Sequence, residues 1–339
     1  FLFYVFMRVF CSGISGAGAS EHIKKVVEYA VSKGEEIKAF NVGLEVFNAA
    51  ERSGYPVTPA GVLDLDKRAL NYLTLAAYET IGREIDNYPN SIIDAHIHFC
   101  WRGVLTDSVK PEMVKRLNPD VYVTLMDLAE PIMERLEADK TQWRNQVENE
   151  GLDERSILHL QTMEVSTTKQ WAAFLEKPMY VLPSKDSADS LYKLATRNDM
   201  EVTYTSFPIT SFHDDPESQQ KIDRFIEELR RFCNLAVVSP RALVLGKNTT
   251  RIEDQHTPMH DLEWFVGGST QRIFVYFPKK VRSSGVHSEA MKAKGSCKEV
   301  WFIGPPDMKD PFTDSNIHHR FYSPEDCIEK LLKSGMERE

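Results

Sequence analysis

A glycine-rich loop near the start of the chain combines residue types that can surround a phosphate group. Gly13, Gly16 and Gly18 are followed directly by Ala19 and Ser20, and an apolar, strand-like run precedes the loop. The pattern G-x-x-x-x-G-K-[ST] at a helix start presents backbone N–H groups to phosphates, a lysine to the outer phosphates and a hydroxyl to Mg²⁺. Ala19 stands at the lysine position of that pattern. The sequence therefore predicts a phosphate site without its usual cation.

A carboxylate further along the chain is expected to complete this site. Ser91 to Asp94 reads as a buried strand that ends in an acid, and an acid at that point holds the hydration shell of Mg²⁺ in phosphate-transferring enzymes. Ser20 and Asp94 are therefore expected to hold Mg²⁺ indirectly, with ATP as the nucleotide. The loop residues expected to contact the nucleotide are Gly13, Ser15, Gly16, Ala17, Gly18, Ala19 and Ser20.

The same acid also begins a competing metal-binding motif. Asp94, His96 and His98 form the pattern D-x-H-x-H, which resembles the first metal-ligand strand of amidohydrolases. Alternation along a strand would place both histidines on one face, suited to a divalent metal. The glycine loop and the two strands ahead of the motif favour Asp94 as a magnesium-site acid with incidental histidines.

A second set of candidate residues lies in the last third of the chain. A buried strand, Arg272 to Phe277, leads to a turn with Gly285 and then to a helix that carries an early acid, Glu289. A carboxylate below a sugar can stabilise an oxocarbenium-like state or form a covalent glycosyl intermediate. We expect the helix N-terminus to lower the pKa of Glu289 and keep it ionised.

The composition is that of an ordinary globular chain and excludes a broad nucleic-acid surface. The 339 residues are 42% hydrophobic and 27% charged, with a net charge of −9, so no extended basic surface for DNA or RNA is expected. Five scattered cysteines without a C-x-x-C pair favour reduced thiols and a cytoplasmic location. The apolar run Phe1 to Cys11 is far shorter than the ~20 residues of a membrane helix; a buried first strand is expected, and no membrane partner.

Both halves of the chain alternate strand-like and helix-like segments, the pattern of parallel sheets covered by helices. We predict an α/β fold with two parallel-sheet domains, residues 1–183 and 201–339, joined by a linker at 184–200. The predicted strands are Met7–Ser12, Ile37–Asn41, Ser91–His96, Val121–Met126, Met179–Leu182, Glu201–Ser206, Leu235–Ser239, Arg272–Phe277 and Glu299–Ile303. The predicted helices are Ser20–Lys33, Asp66–Ile85, Glu130–Asn149, Thr167–Leu175, Ser187–Thr196, Pro216–Cys233, Met259–Val266, His287–Lys294 and Pro324–Lys333.

With its loop, its second strand and a later basic segment, the first half resembles P-loop nucleoside monophosphate kinases such as archaeal adenylate kinases. In that family basic side chains of a lid close over the transferring phosphoryl group, and Arg135, Lys140 and Arg144 match those positions. The family's lysine is replaced by Ala19, so either the domain binds nucleotide without efficient transfer or the alanine is an introduced change that disables it. The resemblance implies ATP and Mg²⁺ as cofactors.

The second half resembles the nucleoside 2-deoxyribosyltransferase superfamily and related nucleotide N-glycosidases, in a Rossmann-like fold. Glu289 matches the family's nucleophile, and Asp261 lies in the helix before the third strand, as the second acid often does. Ser283 and Ser284 stand where the family usually has an acid. The residues that the resemblance implies as substrate-binding are Ser206, Phe207, Pro208, Ser284, Gly285 and His287.

The leading hypothesis is a two-domain nucleotide enzyme that binds ATP in the first domain and binds or cleaves an N-glycosidic bond in the second. One rival is a nucleoside or nucleotide kinase whose second domain recognises substrate. Another is a non-catalytic nucleotide sensor, and the least favoured is a metal-dependent amidohydrolase. The expected partner is a nucleoside or nucleotide substrate, and a homo-oligomer is left open.

Overall fold

The computed structural model describes residues 6–101, 104–139, 151–243, 259–308 and 314–338. The chain divides into two compact units. The first comprises Phe1–Ala188 with Leu194–Asn198, and the second comprises Asp189–Lys193 with Asp199–Glu339. None of the described helices is both long enough and apolar enough to span a bilayer.

The first unit contains a five-stranded parallel sheet in the order β2-β3-β1-β6-β7, and a separate antiparallel hairpin, β4–β5. Its strands are apolar along most of their length, and every residue of Val121–Met126 is buried, as expected for a sheet covered on both faces. The strands are β1 (Met7–Ser12), β2 (Lys38–Asn41), β3 (Asn90–Ala95), β4 (His98–Trp101), β5 (Val104–Asp107), β6 (Val121–Met126) and β7 (Met179–Pro183).

The helices of the first unit follow the strands and present apolar faces to the sheet. They are α1 (Ala19–Ser32), α2 (Val42–Arg52), α3 (Lys67–Glu84), α4 (Pro111–Leu117), α5 (Ala129–Ala138) and α6 (Glu154–Phe174), with short 3₁₀ turns at Pro59–Asp64 and Ile85–Asn87. Capping side chains fix several starts: Asn41 accepts from Leu44 N, and Asp153 accepts from Ser156 N, which satisfies backbone donors of the first turn. Helix α7 (Ala188–Thr196) has residues in both units.

The second unit is built around another five-stranded parallel sheet, in the order β12-β11-β10-β8-β9. In chain order this is the 2-1-3-4-5 arrangement of doubly wound folds, in which ligands bind at the carboxyl ends of the strands where the order reverses. That reversal falls between β8 and β10. The strands are β8 (Glu201–Ser206), β9 (Leu235–Val238), β10 (Arg272–Tyr276), β11 (Glu299–Ile303) and β12 (His319–Phe321).

The helical segments of the second unit include one element of unusual geometry. The regular helices are α8 (Pro216–Arg230), α9 (Ser284–Gly295) and α10 (Pro324–Lys333), with 3₁₀ turns at Thr210–Phe212 and Pro240–Leu243. Met259–Ser269 is a π-helix, a rare form that is frequent at functional sites. A core of Phe225, Phe274 and Trp301 with neighbouring apolar residues joins α8 and α10 to the sheet.

The prediction of an α/β fold with two parallel sheets is confirmed. The strands at Met7–Ser12, Val121–Met126, Glu201–Ser206 and Glu299–Ile303 have the predicted bounds. Four helices start earlier than predicted, with α1 beginning at Ala19, α5 at Ala129, α6 at Glu154 and α9 at Ser284. Helix α5 ends at Ala138, and the remainder of the predicted Glu130–Asn149 helix from residue 140 lies outside the described residues.

Candidate functional site

Residues 13–20 form a tight loop between β1 and α1, which we call the P-loop. Gly16 and Gly18 have positive φ values of 79° and 83°, a backbone conformation that glycine adopts without steric cost. Helix α1 begins at Ala19 directly after Gly18, so its first N–H groups lack intrahelical acceptors and face the loop. This is the backbone geometry that binds phosphate at a helix N-terminus.

The P-loop packs closely against helix α5. A Cβ atom on Gly16 would lie 3.0 Å from Leu136 Cγ and 3.1 Å from the Ile132 carbonyl oxygen, and one on Gly18 would collide with the guanidinium of Arg135. Both glycines are therefore favoured by their positive φ, and Gly16 is also needed for the close approach of the loop to the backbone of α5.

Ser20 and Asp94 lie together beside the P-loop, as the sequence predicts. The register of β1 with β3 places Asp94 opposite Cys11. The Ser20 hydroxyl donates to Asp94 Oδ2 at 2.6 Å, and the Asn41 amide donates to the same oxygen at 2.8 Å. Hydroxyl and carboxylate oxygens suit Mg²⁺ and its bound waters. These residues would hold a magnesium ion that accompanies the nucleotide.

An apolar pocket opens next to Asp94 at the carboxyl ends of β2 and β3. Its cavity volume of about 130 Å³ is smaller than the roughly 300–1,000 Å³ typical of whole ligand sites, so it would accept one end of a larger molecule. The pocket is lined by Asn41, Val42, Gly43, Val46, Phe47, Val62, Leu70, Thr74, Asp94, Ala95, His96, Phe99 and Ser108.

The D-x-H-x-H interpretation is wrong in its geometry. Strand β3 ends at Ala95 and β4 begins at His98, so His96 and His98 do not share one strand. His96 Nδ1 contacts the Gly13 carbonyl oxygen at 2.5 Å, whereas the His98 ring contacts Thr167 and Asp107. Within the described ranges no group of three or more His, Cys, Asp or Glu residues could hold a metal ion.

Glu164 of α6 is a buried acid behind the P-loop that sequence reasoning missed. Its two carboxylate oxygens accept from Ile97 N at 2.9 Å and from His98 N at 3.0 Å. Burial raises the pKa of Glu164 to about 7, against the opposing effect of these hydrogen bonds. The carboxyl group fixes the turn that follows β3, so it positions the wall of the pocket. The sequence does carry a signal for this site, because polar Gln161 and Thr168 lie on the same buried face of α6 as Glu164.

Of the three predicted lid cations, only Arg135 can be placed. Its guanidinium pairs with Asp127, a fully buried acid just after β6, and lies against Gly18. Lys185 pairs with the same acid at 3.5 Å. Lys140 and Arg144 lie outside the described residues. Lys24 and Lys25 form ion pairs with Glu residues of their own helix, as expected for cations that point away from the loop.

In the second unit, Glu289 of α9 lies buried at the carboxyl end of β8. Its carboxyl group accepts from the Ser206 hydroxyl, and the Tyr204 hydroxyl donates to Oε1 at 3.4 Å. Ser206 is the last residue of β8, which borders β10. Glu289 therefore lies where the strand order reverses, the usual ligand position in doubly wound sheets.

The expectation that a helix N-terminus lowers the pKa of Glu289 is wrong. Glu289 is in the second turn of α9, which begins at Ser284, and its carboxyl group is removed from water. Burial and the negative charge of Asp261 raise its pKa well above the usual carboxyl range. Burial likewise raises the pKa of Asp261, which shares the Tyr204 hydroxyl. The predicted two acids are thus brought together and titrate as a pair.

Of the other residues predicted to bind substrate in the second unit, Phe207 and Pro208 follow β8, and Ser284, Gly285 and His287 lie in the first turn of α9. Phe207 is buried in the hydrophobic core, and the Pro208 carbonyl accepts from Phe212 N at 3.2 Å. Ser284 begins α9, and the space beside Gly285 is open. The side chain of Phe207 therefore belongs to the hydrophobic core. His287 donates its N–H to the Ser283 carbonyl at 3.3 Å, in the first turn of the helix that carries Glu289.

Comparisons with known proteins concern mainly the first unit. A family model described as "AAA domain" matches residues 12–153. No curated protein is similar enough to the chain to be matched. A crystal structure of an uncharacterized protein from Eubacterium ventriosum ATCC 27560 covers 56% of this chain and 95% of its own, at 13% identity and a TM-score of 0.26; so low a score adds nothing to the assignment.

The matched segment contains the P-loop, Asp94, Asp127 and Arg135. Residues 12–153 are therefore similar to the AAA-domain family, a similarity that supports a P-loop domain in the first unit and suggests nucleotide binding or a kinase-like activity.

Proposed function

We propose that the chain is a two-domain nucleotide enzyme. Residues 1–183 bind ATP with Mg²⁺, and residues 201–339 cleave the N-glycosidic bond of a nucleoside or nucleotide. The observation that carries the proposal is the pair of buried Glu289 and half-buried Asp261, which meet at the Tyr204 hydroxyl. Two adjacent carboxyl groups that share a proton at a strand-order reversal can supply both a general acid and a carboxylate nucleophile, the two groups that this cleavage uses.

The two acids divide the chemistry between them. At neutral pH the pair retains a proton, because each charge disfavours ionisation of the other. The Ser206 hydroxyl donates to Glu289 alone, whereas the Tyr204 hydroxyl bonds to both acids. The reactive state is the one in which the shared proton lies on Asp261 and the charge on Glu289; in that state Glu289 is the nucleophile and Asp261 the general acid.

The reaction proceeds in two balanced steps. A carboxylate oxygen of Glu289 bonds to the anomeric carbon while the C–N bond breaks, and the base leaves with the bonding electrons and the proton of Asp261. Asp261 then takes a proton from water, which attacks the anomeric carbon and releases the sugar from Glu289.

Release of free base is the direct test. The parent chain is incubated with deoxynucleosides, nucleoside monophosphates and NAD, and products are separated by chromatography. We expect base release from at least one substrate, unchanged in the control Glu217→Gln, an exposed acid of α8 paired with Lys221. Absence of base release from all of them overturns the glycosidic proposal and leaves a nucleotide-binding protein.

A nucleotide kinase is the second candidate, favoured by one observation in the first unit. The apolar pocket and the P-loop share Asp94, so an acceptor in the pocket would lie beside the phosphates. Transfer of labelled phosphate from ATP to nucleosides or nucleoside monophosphates tests this candidate. Nucleotide binding without either reaction would instead indicate a sensor.

A further inference from the structure

A cationic cluster lies at the point of the P-loop where the missing lysine would act. The Arg135 guanidinium lies directly against Gly18, the residue before Ala19. Its Nε donates to the Pro131 carbonyl at 2.9 Å, and Nη2 donates to Asp127. These two hydrogen bonds fix the plane of the guanidinium, and the nitrogen nearest to Gly18 is Nη1.

Asp127 is fully buried and forms ion pairs with both cations of the cluster, Arg135 and Lys185. Leu128 N donates to its Oδ1 at 2.8 Å, and Lys185 Nζ lies 3.5 Å from the same oxygen. The formal charges of Arg135, Lys185 and Asp127 add up to about +1 beside the loop. This equals the charge that a P-loop lysine contributes.

A hydroxyl without a partner lies on the same side of the loop. Ser184 is buried, and among the described residues its Oγ makes no hydrogen bond. That oxygen lies 3.4 Å from the position that a Cβ on Gly18 would occupy. A buried polar atom is normally satisfied, so Ser184 Oγ is a donor available to a polar ligand group at this position.

We propose that Arg135 and Lys185, held by Asp127, replace the P-loop lysine in binding the phosphate chain of the nucleotide, with Ser184 as an added donor. The planar guanidinium can keep one edge on Asp127 and offer another N–H to a phosphate oxygen. The inference rests on the proposed nucleotide binding and specifies the residues that supply its positive charge.

A rescue experiment tests this replacement. Binding of ATP with Mg²⁺ and of adenosine is measured by calorimetry for the parent and for Arg135→Ala, Lys185→Ala, Ala19→Lys and the double variant Arg135→Ala/Ala19→Lys. Arg135→Ala is expected to weaken ATP roughly 10- to 100-fold, as for one charged hydrogen bond, and Lys185→Ala about tenfold. Adenosine affinity should not change.

The decisive arm is the double variant. If the cluster stands in for lysine, Ala19→Lys restores most of the ATP affinity lost in Arg135→Ala but tightens the parent by less than about threefold. Arg83→Ala is the control, because Arg83 is an exposed arginine paired with Glu79 on its own helix. Should Arg135→Ala fail to fold, Arg135→Lys keeps a charge on Asp127 and is expected to weaken ATP in the same direction.

Two results would overturn the inference in distinguishable ways. Unchanged ATP affinity in Arg135→Ala, together with a large gain in Ala19→Lys, would leave nucleotide binding intact and remove the cluster from it. A parent chain that binds no ATP would overturn the nucleotide-binding proposal itself.

Discussion

The Tyr204 hydroxyl lies 3.4 Å from Glu289 Oε1 and also bonds to Asp261. Burial and the two acids raise the pKa of Tyr204 above its usual value, so the phenol remains protonated and donates throughout the physiological range. The ring is held by stacking on Phe265 at a centroid distance of 6.0 Å. One fixed donor therefore joins the two acids on which the proposed chemistry depends.

Tyr204→Phe is expected to lower base release about tenfold while the fold is retained. The substitution keeps the ring and its stacking but removes a hydroxyl hydrogen bond, worth about 1 kcal/mol or more when the acceptor is charged. The pH dependence of the rate should also shift, because Tyr204 hydrogen bonds lower the pKa values of both acids. A variant with the parent's rate and pH profile would assign Tyr204 to packing alone.

The raised pKa of Glu289 predicts how stability changes with pH. The unfolded chain loses this proton at about pH 4.3, whereas the folded chain retains it to higher pH, so the free energy of unfolding falls as pH rises above that value. Glu289→Gln removes one of the two coupled titrations and leaves that of Asp261. The melting temperature of the variant relative to the parent's should therefore rise from pH 5 to pH 8, because each pH unit between the unfolded and folded pKa of Glu289 costs the parent up to about 1.4 kcal/mol. A constant difference would contradict the raised pKa.

Ser20→Ala should weaken nucleotide binding only in the presence of Mg²⁺. The hydroxyl bonds to Asp94 at 2.6 Å, where the two oxygens would hold the ion and its waters. The gain in ATP affinity on adding Mg²⁺ is expected to fall about tenfold, measured by titration with and without the metal. Ser32→Ala, on the exposed end of α1, is the matched control. An equal loss of ATP affinity with and without Mg²⁺ would show that the Ser20 hydroxyl supports the loop conformation and does not act through the metal.

Glu164 should be sensitive to loss of its acceptor oxygens. Glu164→Leu leaves the N–H groups of Ile97 and His98 without partners in a buried site, at a cost of about 2–5 kcal/mol in unfolding free energy. Glu164→Gln retains one acceptor and should cost less than half as much. Denaturant unfolding of both variants measures the difference, and equal costs would show that charge, not acceptor count, is what matters.

The sequence predicted the elements whose signals are local. The apolar run of β1, the glycine loop and the strand that carries Asp94 are contiguous patterns, and each is placed as expected. Helix α2 was missed because Gly43 lies in its first turn, and glycine weakens the local helix signal. The pairing of Asp94 with Ser20 followed from the known placement of such loops.

The parts that sequence reasoning missed depend on contacts between distant residues. Glu164 reaches Ile97 across 67 positions, and Tyr204 reaches Glu289 across 85. Local patterns carry no information on such pairs. The pKa of Glu289 was predicted in the wrong direction for the same reason, since its burial and its neighbour Asp261 arise only when the π-helix packs near α9.

The most direct test of the central claim compares base release by the parent and by Glu289→Gln on the best substrate, with melting temperatures recorded for both. If Glu289 is the nucleophile, the variant keeps its shape but loses the attacking carboxylate. The rate should then fall by about 10²–10⁴, while the melting temperature is unchanged or raised and Glu217→Gln retains the parent's rate. Base release by Glu289→Gln at the parent's rate would contradict the account.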